Sequence, residues 1–418
     1  MSIGVSLSFA GALVLVSGSF ARAQYQPEVL NPDGASESFI TAAGGGVQVG
    51  FAAGSATGGN SHGFIWNGTP QSAIDVNPQG IYEPTGVPFS GSFLYGAGGG
   101  QQVGLVIAGV QNVATVWSGT AASAAFLATP LMLNSVAYGT DGVSQVGSAR
   151  VNDPSNGVVT HAYAWQGTPE SAVDIHPDFA LESFANRVRG NVAVGTTATF
   201  DEFYNAVVWT SVFPPVAVSL HPSTFLESVA TDLNDSIVVG YGYPDGLPNH
   251  ALVWSLAGGD PTDVHPAGYF SSFIYATNAD SQVGIASTPR DADGNNHEHA
   301  FAWTPSGTVD LHEALVAQFP QFTDSNATGI DAAGNVYGHA LDTNGIQFAV
   351  AWTIGGNACN PDVNQDGVAD QGDVDYLINV IAGGENPTGI DADFNQDGVA
   401  DQGDIDALIN VVAGGSCP

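Results

Sequence analysis

Lysine is absent from this chain of 418 residues, and arginine occurs only five times. Set against 40 acidic side chains, that shortage leaves a formal charge of −35 at pH 7. A surface of that sign repels nucleic-acid backbones and anionic membranes, so both are disfavoured as partners. Cysteine is scarce: Cys359 and Cys417 are the only two. Long apolar runs are lacking as well. Leu7 to Phe20 is mostly apolar but too short to span a bilayer, and no second such run follows, so no membrane span is expected. Helical periodicity of useful length is missing from residues 25–355, which speaks against a helical body there.

What is present is a duplicated C-terminal motif. Asp362-Val-Asn364-Gln-Asp366-Gly367-Val-Ala-Asp370-Gln-Gly-Asp373 recurs 31 positions later as Asp393-Phe-Asn395-Gln-Asp397-Gly398-Val-Ala-Asp401-Gln-Gly-Asp404. Oxygen side chains stand at positions 1, 3, 5, 9 and 12 of each twelve-residue loop, with glycine at position 6. Calcium takes six to eight oxygens, and alternate residues of a tight loop supply them. The glycine permits the sharp turn. After each loop comes one apolar helical face: Val374, Leu377, Ile378 and Ile381, then Ile405, Leu408, Ile409 and Val412. Each helix stops at Ala-Gly-Gly, where glycine suits the C-terminal cap. Turn formers precede both loops, so neither unit has the leading helix of a full EF-hand.

Two loop-helix units with aspartate rather than glutamate at position 12 resemble a type I dockerin, over about residues 358–418. The resemblance implies two calcium ions. Asp362, Asn364, Asp366, the carbonyl of Val368, Asp370 and Asp373 would ligate one. Asp393, Asn395, Asp397, the carbonyl of Val399, Asp401 and Asp404 would ligate the other. It also implies a cohesin-type protein partner, chosen in part by positions 10 and 11, here Gln371-Gly372 and Gln402-Gly403. Cellulosomal members usually carry hydroxyl or basic pairs there, so a partner outside the cellulosome is expected. Thrombospondin type 3 repeats share Asp-rich tandem loops, but the apolar helical faces argue against them.

Cys359 and Cys417 bracket the module. A core of sixty residues is thin, and a disulfide between its ends would add about 2–4 kcal/mol in an oxidising compartment. Two free thiols are the alternative. The N-terminus agrees with export. The apolar run ends in Ala21-Arg22-Ala23, an A-x-A cleavage signal, so residues 1–23 read as a signal peptide and the protein as secreted or cell-surface. One feature departs from the pattern: no basic residue precedes the run.

Residues 24–355 form a repeat. Trp66, Trp117, Trp165, Trp209, Trp254, Trp303 and Trp352 stand 44 to 51 residues apart. Each closes a short run such as His62-Gly-Phe-Ile-Trp66 or His161-Ala-Tyr-Ala-Trp165. Thirteen to nineteen residues earlier stands the glycine of a second run, as in Gln48-Val-Gly50 and Gln102-Val-Gly104. A third run, such as Val173-Asp-Ile-His-Pro177, follows most tryptophans. Short β-branched and aromatic runs between turn residues read as strands, and three or four strands per repeat match one propeller blade. The expected fold is mainly β: a monomeric seven-bladed β-propeller, followed by a small helical calcium domain at 356–418. The last repeat lacks a third run, while Glu28-Val-Leu-Asn-Pro32 is an orphan copy at the front. The N-terminal strand is therefore expected to complete the blade of Trp352 and so remove an open sheet edge. An open β-solenoid is the weaker alternative. The body resembles the HAF family of extracellular repeats, whose His-Ala-Phe signature stands literally at His299-Ala-Phe301. That family has no agreed activity.

No catalytic constellation emerges. His62, His161, His250 and His299 recur at one repeat position, and His176, His221 and His265 at another, which favours structural hydrogen bonding. Glu182, Asp201, Glu202 and Glu227 do not recur strictly and read as solvated acids. The 289–297 segment lacks an acid at position 12 and reads as a hairpin tip. The expectation is a non-catalytic binding protein docked through its tail. Two alternatives remain: a polysaccharide-degrading hydrolase or lyase with its site on the propeller face, and an architectural matrix or surface-layer protein.

Overall fold

The computed structural model describes residues 24–418, except 200–202, 292, 356–360, 367, 389, 391, 396–398 and 414–418. Its contacts divide the chain into two units, Tyr25–Ile354 and one that holds the segment from Gly355 onward. Residues 1–23, expected to be a signal peptide, and both cysteines lie outside the described residues.

The first unit is a ring of seven antiparallel sheets, a seven-bladed propeller. Blade 1 runs outward from the inner strand Ala35–Gly44 through Val47–Gly54 and His62–Trp66 to Ile74–Asp75. Blades 2 to 6 repeat that order, with inner strands Val87–Gly98, Asn134–Thr140, Glu182–Arg189, Phe225–Leu233 and Ser271–Thr277. Blade 2 carries one extra short strand, Ile81–Tyr82, on its inner strand. Blade 7 is built from both ends: Phe322–Ile330, Val336–Asp342 and Gln347–Gly355 are completed by Gln24–Val29. The orphan N-terminal run thus closes the sheet of Trp352, and that edge has a partner.

Two recurrent residues explain why each repeat becomes a blade. The glycine of the Gln-Val-Gly run faces a β-bulge in the inner strand. At Gly50 the pairing shifts between Ile40 and Ala42, and a β-carbon there would overlap the carbonyl of Phe39. Gly284 repeats this against Phe273, with the shift between Ile274 and Ala276. No side chain fits, so glycine is required for the bulge that bends each blade. The tryptophan is the second device. Its indole is buried and its Nε1 donates to a carbonyl in the linker entering its own blade. Trp66 reaches Leu30 O (2.9 Å), Trp117 reaches Val76 O (3.0 Å) and Trp209 reaches Ile175 O (2.7 Å). Trp165 is the exception, with its Nε1 buried and unpartnered.

A third device was not foreseen. Every inner strand carries a buried serine: Ser38, Ser92, Ser135, Ser183, Ser228, Ser272 and Ser325. Each hydroxyl oxygen accepts the amide N–H of a third-strand residue in the preceding blade. Ser183 takes Ala162 N (2.8 Å), and Ser272 takes Ala251 N (2.9 Å). Seven such bonds complete the circle. The body also contains one helix, α1 (Leu311–Gln318), where no helix was expected. Asp310 caps it by accepting from the amides of His312 and Glu313, and Leu311 and Leu315 bury one short face.

In the second unit, α2 (Gln371–Ile381) and α3 (Gln402–Val412) each follow one acidic loop. Val374, Leu377, Ile405 and Leu408 meet Val363 and Phe394 in a small core. Ile378 and Ile409, expected on the same faces, are instead 43% and 46% exposed. Among the described residues, no helix is long and apolar enough to cross a membrane.

Candidate functional site

The two acidic loops share four hydrogen bonds at matching positions. Asp370 and Asp401 act as helix N-caps, accepting from Gly372 N and Gly403 N at 2.7 Å. Asp373 and Asp404, at position 12, are fully buried. Asp373 accepts Asn364 N (3.0 Å) on one oxygen and Asp370 N (2.8 Å) on the other. Asp404 accepts Asn395 N (2.8 Å) and Asp401 N (2.7 Å) in the same way. The last acid of each loop therefore ties the loop's start to the helix start. In the first loop, Asp366 N donates to both Asp362 Oδ1 (3.0 Å) and Asn364 Oδ1 (2.8 Å), winding the backbone inward. The left-handed step falls on Gln365 (φ 58), and Gly367 lies outside the described residues, as do Asp397 and Gly398.

Val368 and Val399, whose carbonyls were assigned to the metal, project 59% and 58% exposed side chains. Gln371 and Gln402 start their helices and reach one turn on, to Asp375 and Asp406, at 3.1 Å. Beside them, Gly372 is exposed and Gly403 half-buried. Five side-chain oxygens and one carbonyl per loop give a donor set of the hard, oxygen-only kind that suits calcium in number and type. Among the described residues, no three His, Cys, Asp or Glu side chains converge into a ready-made cage. The loop acids are engaged instead with backbone amides.

The recurrent histidines fall between blades. Nδ1 of His62, His161, His250 and His299 lies 2.7–2.8 Å from Asp75, Asp174, Asp263 and Asp310 of the outer strand. Nδ1 of His176, His221 and His265 meets the inner-strand serine of the next blade at 2.8–2.9 Å. His312 joins that second set by bonding to Ser325 (2.9 Å). Its signal was present in the sequence, since Val309-Asp310-Leu311-His312 copies Val173-Asp174-Ile175-His176. The two sets stack: His161 on His176 at 3.9 Å and His250 on His265 at 4.1 Å. Burial holds the imidazoles of His176, His221 and His265 below their usual range and brings His312 down to about 4. These rings are structural links between strands.

Of the acids raised as catalytic candidates, Glu182 and Glu227 stand on the inner strands of different blades. Glu182 accepts Thr160 N of the preceding blade (3.0 Å), and Asp201 and Glu202 lie outside the described residues. The 289–297 segment is a hairpin tip between Gln282–Ser287 and Glu298–Thr304, turned by Asp291 accepting Asp293 N and Asn295 N at 2.9 Å.

Sequence reading did not say which residues line the central channel. Alternate residues of a strand face opposite sides. With serine between blades, the first and third residues after it face the ring's axis, as Phe39 and Thr41 do. At one end the channel widens into a cavity of about 880 Å³. Phe39 stacks on Phe51 (4.5 Å), Phe51 meets Phe93 (4.8 Å), and Tyr95 lies 5.7 Å from Tyr138. Burial, with the Tyr138 phenol beside it, pushes Tyr95 up to about 12, and burial also raises Tyr275. Tyr95 and Tyr275 therefore stay neutral donors. Arg187 borders both this cavity and a smaller one of about 380 Å³. Its Nη1 donates to Tyr138 O (2.8 Å) and Asn186 O (3.0 Å). It also faces Asp232, whose carboxyl burial pushes up and whose oxygens accept Leu233 N and Thr277 N.

This architecture places the chain in the class of β-propeller proteins. No family model matches it, and no curated protein does. Among solved structures it is similar to a puromycin-hydrolysing peptidase of Mycobacterium tuberculosis, at 12% identity and a TM-score of 0.50 over 77% of this chain and 54% of that one. TolB from Acinetobacter baumannii gives 10% identity and 0.42, over 73% and 63%. The β-propeller domain of the Trilobed protease from Pyrococcus furiosus gives 9% and 0.47, over 76% and 95%. The chain thus spans just over half of the peptidase and under two thirds of TolB. At such identities the likeness shows the fold alone.

Proposed function

We propose that this chain is a secreted, non-catalytic binding protein. Its propeller carries the ligand, and its tail is a dockerin-like module that loads two calcium ions and attaches the propeller to a cohesin-type partner or to a surface. One observation carries the reading: among the described residues, four hydrogen bonds recur at matching positions in the two loops. Duplicated geometry of this kind is expected where each copy serves one ion.

Asp362, Asn364, Asp366, Val368, Asp370 and Asp373 would hold one ion, and their counterparts from Asp393 to Asp404 the other. Calcium supplies positive charge where several carboxylates crowd. The residues do the rest: Asp370 and Asp401 keep the helices capped, and Asp373 and Asp404 keep each loop closed on its helix. Ordering of the module is then linked to the cation. Exposed Ile378 and Ile409 stand at matching positions on α2 and α3 and offer a partner two equivalent apolar contacts. The HAF-like body and the export signal agree with an extracellular place.

Calorimetry of the full chain, with calcium and with chelator, tests this. We expect chelator to abolish the tail's transition and leave the propeller's in place. Two scans that superimpose would sink the reading.

A further inference from the structure

Taking the propeller as the ligand-bearing part, on which this inference rests, we propose that the wide end of its channel binds an uncharged saccharide. Aromatic faces would cover the sugar rings, and His339 with Gln347 would orient the hydroxyls.

The first argument is shape. The rings around the axis line open space instead of filling it, and about 880 Å³ lies within the range of roughly 300–1,000 Å³ usual for small-molecule sites. Tyr241 meets Phe273 at 4.7 Å, and Phe39 packs against His339 at 5.3 Å, so aromatic surface continues around much of the mouth. The C–H faces of pyranose rings stack on such surfaces, and phenol hydroxyls at the ring edges reach the sugar's periphery.

The second argument is an unmet need. Nδ1 of His339 and Oε1 of Gln347 are buried without hydrogen-bond partners, and both residues line the cavity. His339 pairs with Ala349, two residues along from Gln347, so both side chains stand on one face of blade 7. Buried polar atoms are rarely left so in native proteins. A hydroxyl both donates and accepts. Two neighbouring hydroxyls would satisfy the glutamine oxygen, which only accepts, and the imidazole nitrogen in either tautomer.

The third argument is charge. Arg187 is the one cation among the described lining residues, and two carbonyls and the nearby Asp232 already occupy it. A uronate or phosphate finds no bare cation, and the chain's charge of −35 opposes its approach. A cationic ligand finds no carboxylate in the described lining itself; Glu227 and Glu298 act on Tyr241 and Tyr275 from outside it. What remains is a neutral molecule with apolar faces and a hydroxylated rim.

Titration calorimetry on the full chain, with cellotriose, maltotriose, xylotriose, mannotriose and trigalacturonate, tests the assignment. We expect saturable binding of at least one neutral trisaccharide and binding of trigalacturonate weaker by about tenfold or more. Val229→Trp, which fills the cavity, should abolish binding. Gln347→Ala should weaken it about tenfold with an unchanged thermal midpoint; it serves as the deciding variant if Val229→Trp does not fold. Absence of binding by every neutral probe, tighter binding of trigalacturonate, or affinity unaffected by the variants overturns the proposal. Repeating the titration in excess chelator separates the two readings: binding that survives chelation stands whatever the tail does, and loss of saccharide binding leaves the calcium result intact.

Discussion

The amide of Ala349 donates to the hydroxyl of Ser38 at 2.9 Å, across 311 residues of sequence. The same hydroxyl donates to Asn31 Oδ1 at 2.7 Å. This bond closes a circle whose other six members join adjacent blades. It sits beside the seam where Leu30 N meets Ala349 O at 2.7 Å. The ends of the propeller are thus held by the contact used at every other joint, with strand pairing added.

Ser38→Ala should destabilise the propeller by about 1–3 kcal/mol, since it strands a buried N–H. Ser183→Ala should cost a similar amount, because it occupies the same place at another joint. Urea denaturation of the full chain, followed by tryptophan fluorescence, measures both.

Gly104→Ala should be worse tolerated. Its β-carbon would overlap the carbonyl of Phe93, and the bulged strand has no neighbouring space to yield. A loss of about 1–3 kcal/mol or more is expected from such overpacking. The same denaturation series checks it.

Acidification should weaken the propeller between roughly pH 6.5 and 4. Burial lowers the pKa of His176 and His265 and brings His312 to about 4. A histidine in the unfolded chain takes up its proton near 6.5. Below that pH the unfolded state binds protons that the folded state refuses, so the stability these groups give is complete above 6.5 and fades as pH falls. His312→Gln should show a shallower decline than the parent. Thermal midpoints recorded at pH 8, 6.5, 5.5 and 4.5 give the comparison.

Calcium stoichiometry should fall from two to one in Asp366→Ala, a loop residue outside the helix cap. Equilibrium dialysis of the full chain reads the number directly. Two ions retained by the variant would refute the ligand assignment.

Cys359 and Cys417 should be paired in protein recovered from an oxidising medium. Alkylation of the denatured, unreduced chain should then label neither, and labelling of both would show free thiols.

Much of this fold can be read from the sequence, because a propeller repeats its constraints. Seven tryptophans count the blades, six of them by reaching a linker carbonyl, and Glu28-Val-Leu-Asn-Pro32 marks the seam because it is a third run with no repeat of its own. The inner strands are harder to see. Their outward faces must fit between blades, but their other faces border a channel that accepts Phe39, Tyr138, Val229 or Asn326 alike. Only the serine is fixed, and a serine before one or two apolar residues is too common a pattern to notice. Helix α1 is hidden by its length, since Leu311 and Leu315 give one turn of periodicity. The acidic loops were legible because the same residue types recur at the same positions in both copies, 31 residues apart. The channel's aromatic mouth was not, for its members come from different blades and meet only when the ring closes.

The seven joints are not equally fastened. Between blades 2 and 3, Trp165 has no carbonyl for its indole, and Ala128 stands where other linkers place a histidine or asparagine. That joint keeps its serine bond, Ala114 N to Ser135 at 2.9 Å, and is tied by Asn112 N to Asn134 (2.8 Å) and by Gln145 to Gln101 (2.7 Å), but its linker lacks two of the fasteners found in the other linkers. Heat should therefore loosen the linker of that joint first, while the spliced seam of blade 7 holds. Amide exchange in residues 125–136 should accordingly outpace exchange in the matching linkers, giving the molecule an internal order of undoing that its near-symmetry conceals.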